Sequence, residues 1–215
     1  MEVALQALPF LGKGLAITLQ VSAMVVAISL IAGVALGVVL VYGPEPVRWL
    51  VRGYSDIVRG IPILVLIFAI YYGLPPLHIN LSSLVAAVTA LSMFTTAQVI
   101  ETTRGAIQSI HHGQMEAGKA IGLTFLQRLR WVILPQALRR FLPPWINSVT
   151  DAVKGSALVS LVGVVDLMLA IQQVIGRIYE PLPLYLLGAA IYFVINYSLS
   201  SLSRRLEQRF AYVRE

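Results

Sequence analysis

Three runs of the chain carry no charged side chain: Leu15 to Tyr42, Gly60 to Ile100 apart from the histidine at 78, and Pro181 to Ser203. A membrane-spanning helix needs about 20 consecutive apolar residues. A backbone in hydrocarbon must also satisfy its own hydrogen bonds, which a helix does. The pattern therefore predicts helices. The first runs from about Leu15 to Tyr42, after a lead-in from Met1 to Gly14, and ends at Gly43-Pro44-Glu45-Pro46. The second run is broken by Gly73-Leu74-Pro75-Pro76, giving one helix over about Tyr54–Tyr72 and another over about Ser83–His111. A fourth block, Phe141 to Gly176, is too long for one simple span and holds Asp151, Lys154 and Asp166. Lys154-Gly155 marks a break in it, with a shorter helical segment beyond and a turn at Tyr179-Glu180-Pro181. The last helix covers about Leu182–Ser203. The expectation is an all-α membrane protein of five transmembrane helices in a single domain over residues 1–215.

Composition strengthens that picture. The chain is 58% hydrophobic and 12% charged, where a soluble domain carries roughly 25% charged residues. The first apolar block is too long for a signal peptide and reads as a retained span. Cysteine is absent, so neither a disulfide framework nor a thiolate metal site is available. Gly33-x-x-x-Gly37 in the first helix permits close helix–helix approach.

The net charge of +6 is explained by where the basic residues fall. An odd number of spans puts the termini on opposite sides. Arg48 and Arg52 precede the second helix, and Arg59 lies near its start. Arg104, Lys119, Arg128, Arg130, Arg139 and Arg140 lie at or between the third and fourth, and Arg204, Arg205, Arg209 and Arg214 follow the fifth. Lys13 and Arg177 fall on the other side, with Lys154 inside the membrane. The positive-inside rule makes the basic side cytoplasmic, with the N-terminus outside and the C-terminus inside. A nucleic-acid site needs a contiguous basic face, and this charge is distributed loop by loop.

Between the third and fourth helices lies an amphipathic basic stretch, Gly113 to Pro144. Gly118 and Gly122 punctuate it, Pro135 interrupts it, and Pro143-Pro144 closes it. Its residues alone fit two roles: a helix lying on the bilayer surface, or one docking into a partner. Glu116-Ala117-Gly118, Gly122 and Val132-Ile133-Leu134-Pro135 resemble the "EAA" signature of ABC-importer permeases: E-A-A, three residues, G, nine residues, I, any residue, L-P. Two positions depart from it, Gly118 for the second alanine and Val132 for isoleucine. Arg59-Gly60-Ile61-Pro62, Tyr71-Tyr72-Gly73-Leu74-Pro75, Thr102-Thr103-Arg104-Gly105-Ala106-Ile107, Pro135-Gln136-Ala137 and Lys154-Gly155-Ser156-Ala157-Leu158 are similar to the polar amino-acid branch (histidine, glutamine and arginine permease-like).

The resemblance implies a single permease domain in a bacterial cytoplasmic (inner) membrane. Its cytoplasmic coupling helix, about residues 113–135, would use Glu116, Ala117, Gly118 and Gly122 to grip an ATPase. Two such ATPases would carry the ATP and magnesium, a second permease, identical or related, would complete the pore, and an extracytoplasmic binding protein would deliver a polar amino acid. Alternating access would carry the substrate inward, with no cofactor in this chain. A passive channel or a scaffold subunit is the competing reading. The chain has no G-x-x-x-x-G-K-[ST] loop for ATP and no H-E-x-x-H for zinc, so it is not expected to be an enzyme or to bind metal. His78, His111 and His112 read as interfacial residues.

Polar groups deep in a membrane mark functional candidates. Depth counted at about 1.5 Å per residue puts Thr95, Thr96 and Gln98 near mid-bilayer on the third helix, and Asn147, Ser148 and Asp151 there on the fourth. Helix breaks near the midplane are where transporters build sites. Gln98, Ser148 and Asp151 are therefore expected to line the path, with Thr95 and Ser156 close by. Asp151 either favours a positively charged substrate or pairs with Lys154 three residues on. Glu101 and Arg104, at the same spacing, form a structural ion pair or a gate.

Overall fold

The computed structural model describes the backbone of residues 2–211 and the side chains of residues 7–209, so Arg214 lies outside the described residues. The first helix, α1, covers Glu2–Tyr42 and absorbs the expected lead-in. The cause is tertiary. Leu11 is buried against Leu167, Ile171, Val174 and Leu184. Gly14 meets the later chain so closely that an added Cβ would stand 2.8 Å from Ala170 Cβ.

The second span departs most from expectation. Instead of one helix over 54–72 there are two, α2 (Glu45–Gly60) and α3 (Ile63–Gly73), bent by 101° at Ile61-Pro62. Proline drives the preceding residue out of the α region, and Ile61 sits at ψ 131°. A short 3₁₀ turn, Pro75–Leu77, then leads to His78 in the left-handed region. Ser82 caps α4 (Ser83–Gln108) by accepting from Val85 N.

Next come α5 (His112–Ala120) and α6 (Phe125–Arg128), a π turn over Leu129–Ile133, and α7 (Leu134–Gly155). Here the proline reading is corrected. Pro135 does not end the stretch: it follows just after the π turn, whose altered bonding pattern adjoins it, at the start of α7. Pro143 and Pro144 lie inside α7 rather than closing anything. A proline inside a helix removes the bond to the carbonyl four residues back, here those of Arg139 and Arg140, and membrane helices tolerate this. Ser203 donates to the Pro143 carbonyl across 3.2 Å, and the Ser148 hydroxyl lies 3.5 Å from that of Pro144. A 3₁₀ segment, Ser156–Val162, follows, then α8 (Leu167–Ile178) at a 50° bend and α9 (Pro181–Ala211).

Three of these helices, α1, α4 and α9, are long and apolar enough to cross a bilayer; counting each bent pair as one span raises the number to five. The centre of the bundle is α4, packed on α1, α2, α3 and α7. Its seam with α1 is built on Gly33 and Gly37. An added Cβ would stand 2.5 Å from Val99 Cβ at the first and 2.5 Å from Thr103 Cβ at the second. Small residues let membrane helices gain backbone contact where no hydrophobic driving force separates protein from lipid. Val21, Val25, Ile67, Ala87, Leu91 and Val159 fill the adjoining core.

Candidate functional site: the polar elbow and the mid-bundle groups

The stretch after α4 folds into a braced elbow. His111 caps α5, its Nδ1 accepting from Gly113 N at 3.1 Å. Gly122 supplies the left-handed turn (φ 82°) that reverses the chain. Thr124 and Gln127 then start α6 by capping each other's backbone. The Arg128 side chain folds back over α5 and donates to the Met115 carbonyl at 3.4 Å. This accounts for Gly118 where the signature has alanine: a Cβ there would lie 2.9 Å from Arg128 Cγ.

Two further links fix the elbow to the bundle. Arg140 donates to the Ser109 carbonyl at the end of α4, and Phe125 meets Tyr42 of α1 edge-on at 5.5 Å. Beneath, Met115, Leu129 and Val132 pack on Ile110, Ile133 and Ala137. On the outer side Glu116, Ala117, Lys119 and Gly122 are exposed, together with Ile121 (77%) and Leu126 (70%). Apolar knobs thus stand beside charges on the outer side of the braced elbow.

The expected Glu101–Arg104 pair is present and belongs to a larger cluster. Arg104 donates to Glu101 Oε2 from Nη2 (2.6 Å) and Nε (3.0 Å), and to Gln108. Arg59 approaches Glu101 to 3.9 Å, and the Ser55 hydroxyl to 3.4 Å. Both come from α2, so the cluster ties α2 to α4; spacing along the sequence carried no hint of it.

The expected path residues are not gathered around one cavity. Thr95 is buried in α4, and Gln98 is half-buried. Ser148 faces its own helix, and the fully buried Ser156 donates to the Val153 carbonyl at 2.7 Å. Asp151 is exposed and pairs with Lys154 at 2.9 Å. A groove of about 340 Å³ opens between the end of α7, α8 and α9, lined by Lys154, Met168, Ile171, Tyr185 and Tyr192 among others. Of the polar groups singled out in the sequence, only Lys154 reaches it.

Asp166 was read in the sequence only as part of a long block. It is fully buried and caps α8, accepting from Leu169 N at 2.9 Å, with the Tyr192 hydroxyl 3.5 Å away. Thr18 Oγ1 of α1 accepts from Leu167 N at 3.0 Å beside it. An aspartate immediately before an apolar run is a helix-start signal, and it was the available clue. Among the described residues no three histidine, aspartate or glutamate side chains gather as a metal site.

The family described as the binding-protein-dependent transport system inner membrane component matches residues 12–212. The chain belongs to this family. The permease is thus a multi-pass inner-membrane protein. It is 32% identical over 215 residues to the probable amino-acid ABC transporter permease protein YckA of Bacillus subtilis strain 168, covering 98% of this chain and 93% of that one. It is 35% identical over 205 residues to the glutamine transport system permease protein GlnP of Escherichia coli K12, covering 94% of each. Its fold matches a solved chain described as an amino acid ABC transporter with histidines, with TM-score 0.90, 32% identity and 96% of each chain covered. A chain of the inward-facing MetNI methionine ABC transporter shares the permease fold at 22% identity and TM-score 0.73.

Proposed function

We propose that the permease forms half of the membrane path of an ATP-driven importer of polar amino acids. The observation that carries this reading is the braced elbow with its exposed Glu116, Ile121 and Leu126 face. The names of the relatives, amino-acid and glutamine permeases, support the substrate class. A second permease, identical or related, completes the path, and a binding protein delivers substrate from outside. Two cytoplasmic ATPases supply ATP and magnesium chemistry; this chain binds, orients and moves. The distribution of arginines supports five spans with the N-terminus outside and the elbow in the cytoplasm.

The mechanics follow from the bracing. From Phe125 to Gly155 the chain is helical almost without interruption through α6, the π turn and α7. A push on the elbow therefore travels along a rod of roughly 45 Å, at 1.5 Å per residue, to the Asp151–Lys154–Gly155 end. Arg140 on Ser109 carries the same motion into α4. Rocking α4 and α7 together displaces Thr95 and Gln98 relative to α1 and α2, and Ser148, Asp151 and Ser156 relative to α8 and α9. These five residues line the path in this reading. The Glu101–Arg104 pair is the gate, because Arg59 and Ser55 join it to α2 and opening must rearrange those contacts.

The test is reconstitution with the cognate ATPase and binding protein. Glu116→Arg reverses a charge on the docking face without touching a buried group. It is expected to lower ATPase co-purification and ATP-driven uptake together, by about tenfold. Full ATPase retention by the variant would remove the docking role. Uptake by the unaltered complex without ATP would instead mark a passive channel.

A further inference from the structure

The end of α5 has an unfilled place. Leu123 N donates to the Gly118 carbonyl and Gly122 N to the Lys119 carbonyl, each at 3.0 Å, with Gly122 in the left-handed region at φ 82°. A helix that ends in this pair of bonds commonly closes with an apolar contact between the residue after the left-handed glycine and the residue that opens the last turn. Here those two are Leu123 and Gly118, and Gly118 has no side chain to give. Gly118 is also buried, unlike Glu116, Ala117 and Lys119 beside it, so it is not part of the outer face of the elbow.

Arg128 fills that place. A Cβ added to Gly118 would stand 2.9 Å from Arg128 Cγ, 3.2 Å from Arg128 Cδ and 3.7 Å from Leu123 Cδ1. The methylene stem of the arginine therefore lies beside Leu123, where a side chain at 118 would lie, and arginine stems cover apolar surface well. Its head is held lightly. Nη1 reaches the Met115 carbonyl at 3.4 Å, beyond the usual range of such bonds, and the buried Nε has no hydrogen-bond partner among the described residues. Arg128 ends α6 and borders the π turn, so it stands at the foot of the helical run to Gly155. One turn earlier on α5, Met115 joins the cluster of Ile110, Ile133 and Ala137. Residues three apart share a helix face. A helix anchored at Met115 alone is free to swing about that point; the Arg128 stem over Gly118 is a second anchor, and two anchors fix the angle.

Taking the elbow as the docking element, as above, we propose that Arg128 is a positioning residue of the import cycle. Its stem stands in for the side chain that position 118 lacks. It thereby sets the angle between α5, which the ATPase grips, and the run from α6 through α7, which carries the motion. The packing of the stem does this, not the charge of the head. Without the stem the ATPase still binds α5 and hydrolyses ATP, but its stroke swings α5 about Met115 instead of moving α7.

The test is the reconstituted complex with its ATPase and binding protein, read as labelled amino acid taken up per ATP hydrolysed, with glutamine and arginine as probes. Arg128→Ala is expected to keep the ATPase bound and to lower this ratio about fivefold, the lower end of coupling between distant sites. Arg128→Met keeps an unbranched, flexible stem without charge and is expected to keep the ratio. Gly118→Ala/Arg128→Ala supplies a Cβ to meet Leu123 and is expected to regain most of what Arg128→Ala loses, a non-additivity that marks direct contact. If the Arg128→Ala chain is not recovered folded, Gly118→Ala presses the stem away from the other side and must lower the same ratio. A parental ratio in whichever of these is read, a lowered ratio in Arg128→Met, or no recovery in the double variant overturns the proposal. Loss of the ATPase together with uptake in folded Arg128→Ala also overturns it and makes the arginine a docking contact. The docking reading itself falls by a separate result, full ATPase retention in Glu116→Arg.

Discussion

Replacing Gly33 by alanine tests the seam that holds the bundle together. The new Cβ would stand 2.5 Å from Val99 Cβ, 2.6 Å from Val99 Cγ1 and 3.2 Å from the Thr96 carbonyl oxygen. Carbon atoms prefer separations of about 3.5–4.0 Å, so the backbones of α1 and α4 must part by roughly 1 Å or more. Val99 is β-branched and buried, with little rotamer freedom to yield. Overpacking of this kind costs about 1–3 kcal/mol. Alanine returns about 0.5–1 kcal/mol through better helix formation, leaving a net loss of roughly 1–2 kcal/mol. For a chain of this size that lowers Tm by about 2–8 °C. Gly37→Ala should behave alike, since its Cβ would meet Thr103 Cβ at 2.5 Å. The double variant should lose less than the sum, because one parting of the helices relieves both contacts. Gly53→Ala and Gly105→Ala are the controls: nothing lies within 4 Å of either added Cβ, and both should equal or exceed the parent. The assay is thermal unfolding of the detergent-solubilised chain. Should Gly33→Ala and Gly37→Ala melt with Gly105→Ala, the close-packed seam does not determine stability.

Asp166→Ala removes the buried cap of α8 and orphans Leu169 N–H, which should cost about 2–4 kcal/mol from the lost cap and the unsatisfied donor. Asp166→Asn keeps an acceptor and should lose less than half of that, and equal denaturation profiles for the two variants would deny the cap its importance. Asp151→Asn should reduce vesicle uptake of labelled arginine about tenfold relative to glutamine, a difference of about 1.4 kcal/mol, if the carboxylate faces substrate. A parallel fall for both amino acids would assign Asp151 to its pairing with Lys154 alone.

Several features were legible because their causes are local. Charge-free runs long enough to span a bilayer identify α1, α4 and α9, and the Glu101–Arg104 and Asp151–Lys154 pairs follow from three-residue spacing on a helix. The elbow announced itself through its arginines, which have no place in hydrocarbon, and through the glycines that punctuate it. The prolines misled in both directions. Pro143 and Pro144 looked like terminators, yet α7 runs through them, packed between α4 and α9. Pro62 entered only as part of a family resemblance, and it marks the sharper of the two bends within broken spans.

By itself, then, the sequence determined that this chain lives in lipid, which segments are apolar enough to cross it and where along the chain the basic residues fall. All of these depend on transfer of side chains between water and hydrocarbon, a property each residue carries alone. Only the tertiary structure decided that Arg59 and Ser55 join Glu101, that Arg128 packs over Gly118, that Asp166 is buried beside Thr18 and Tyr192, and that α2 turns sharply from α3. Those outcomes depend on which helix faces which, and residues far apart in the chain acquire that relation only when the bundle closes.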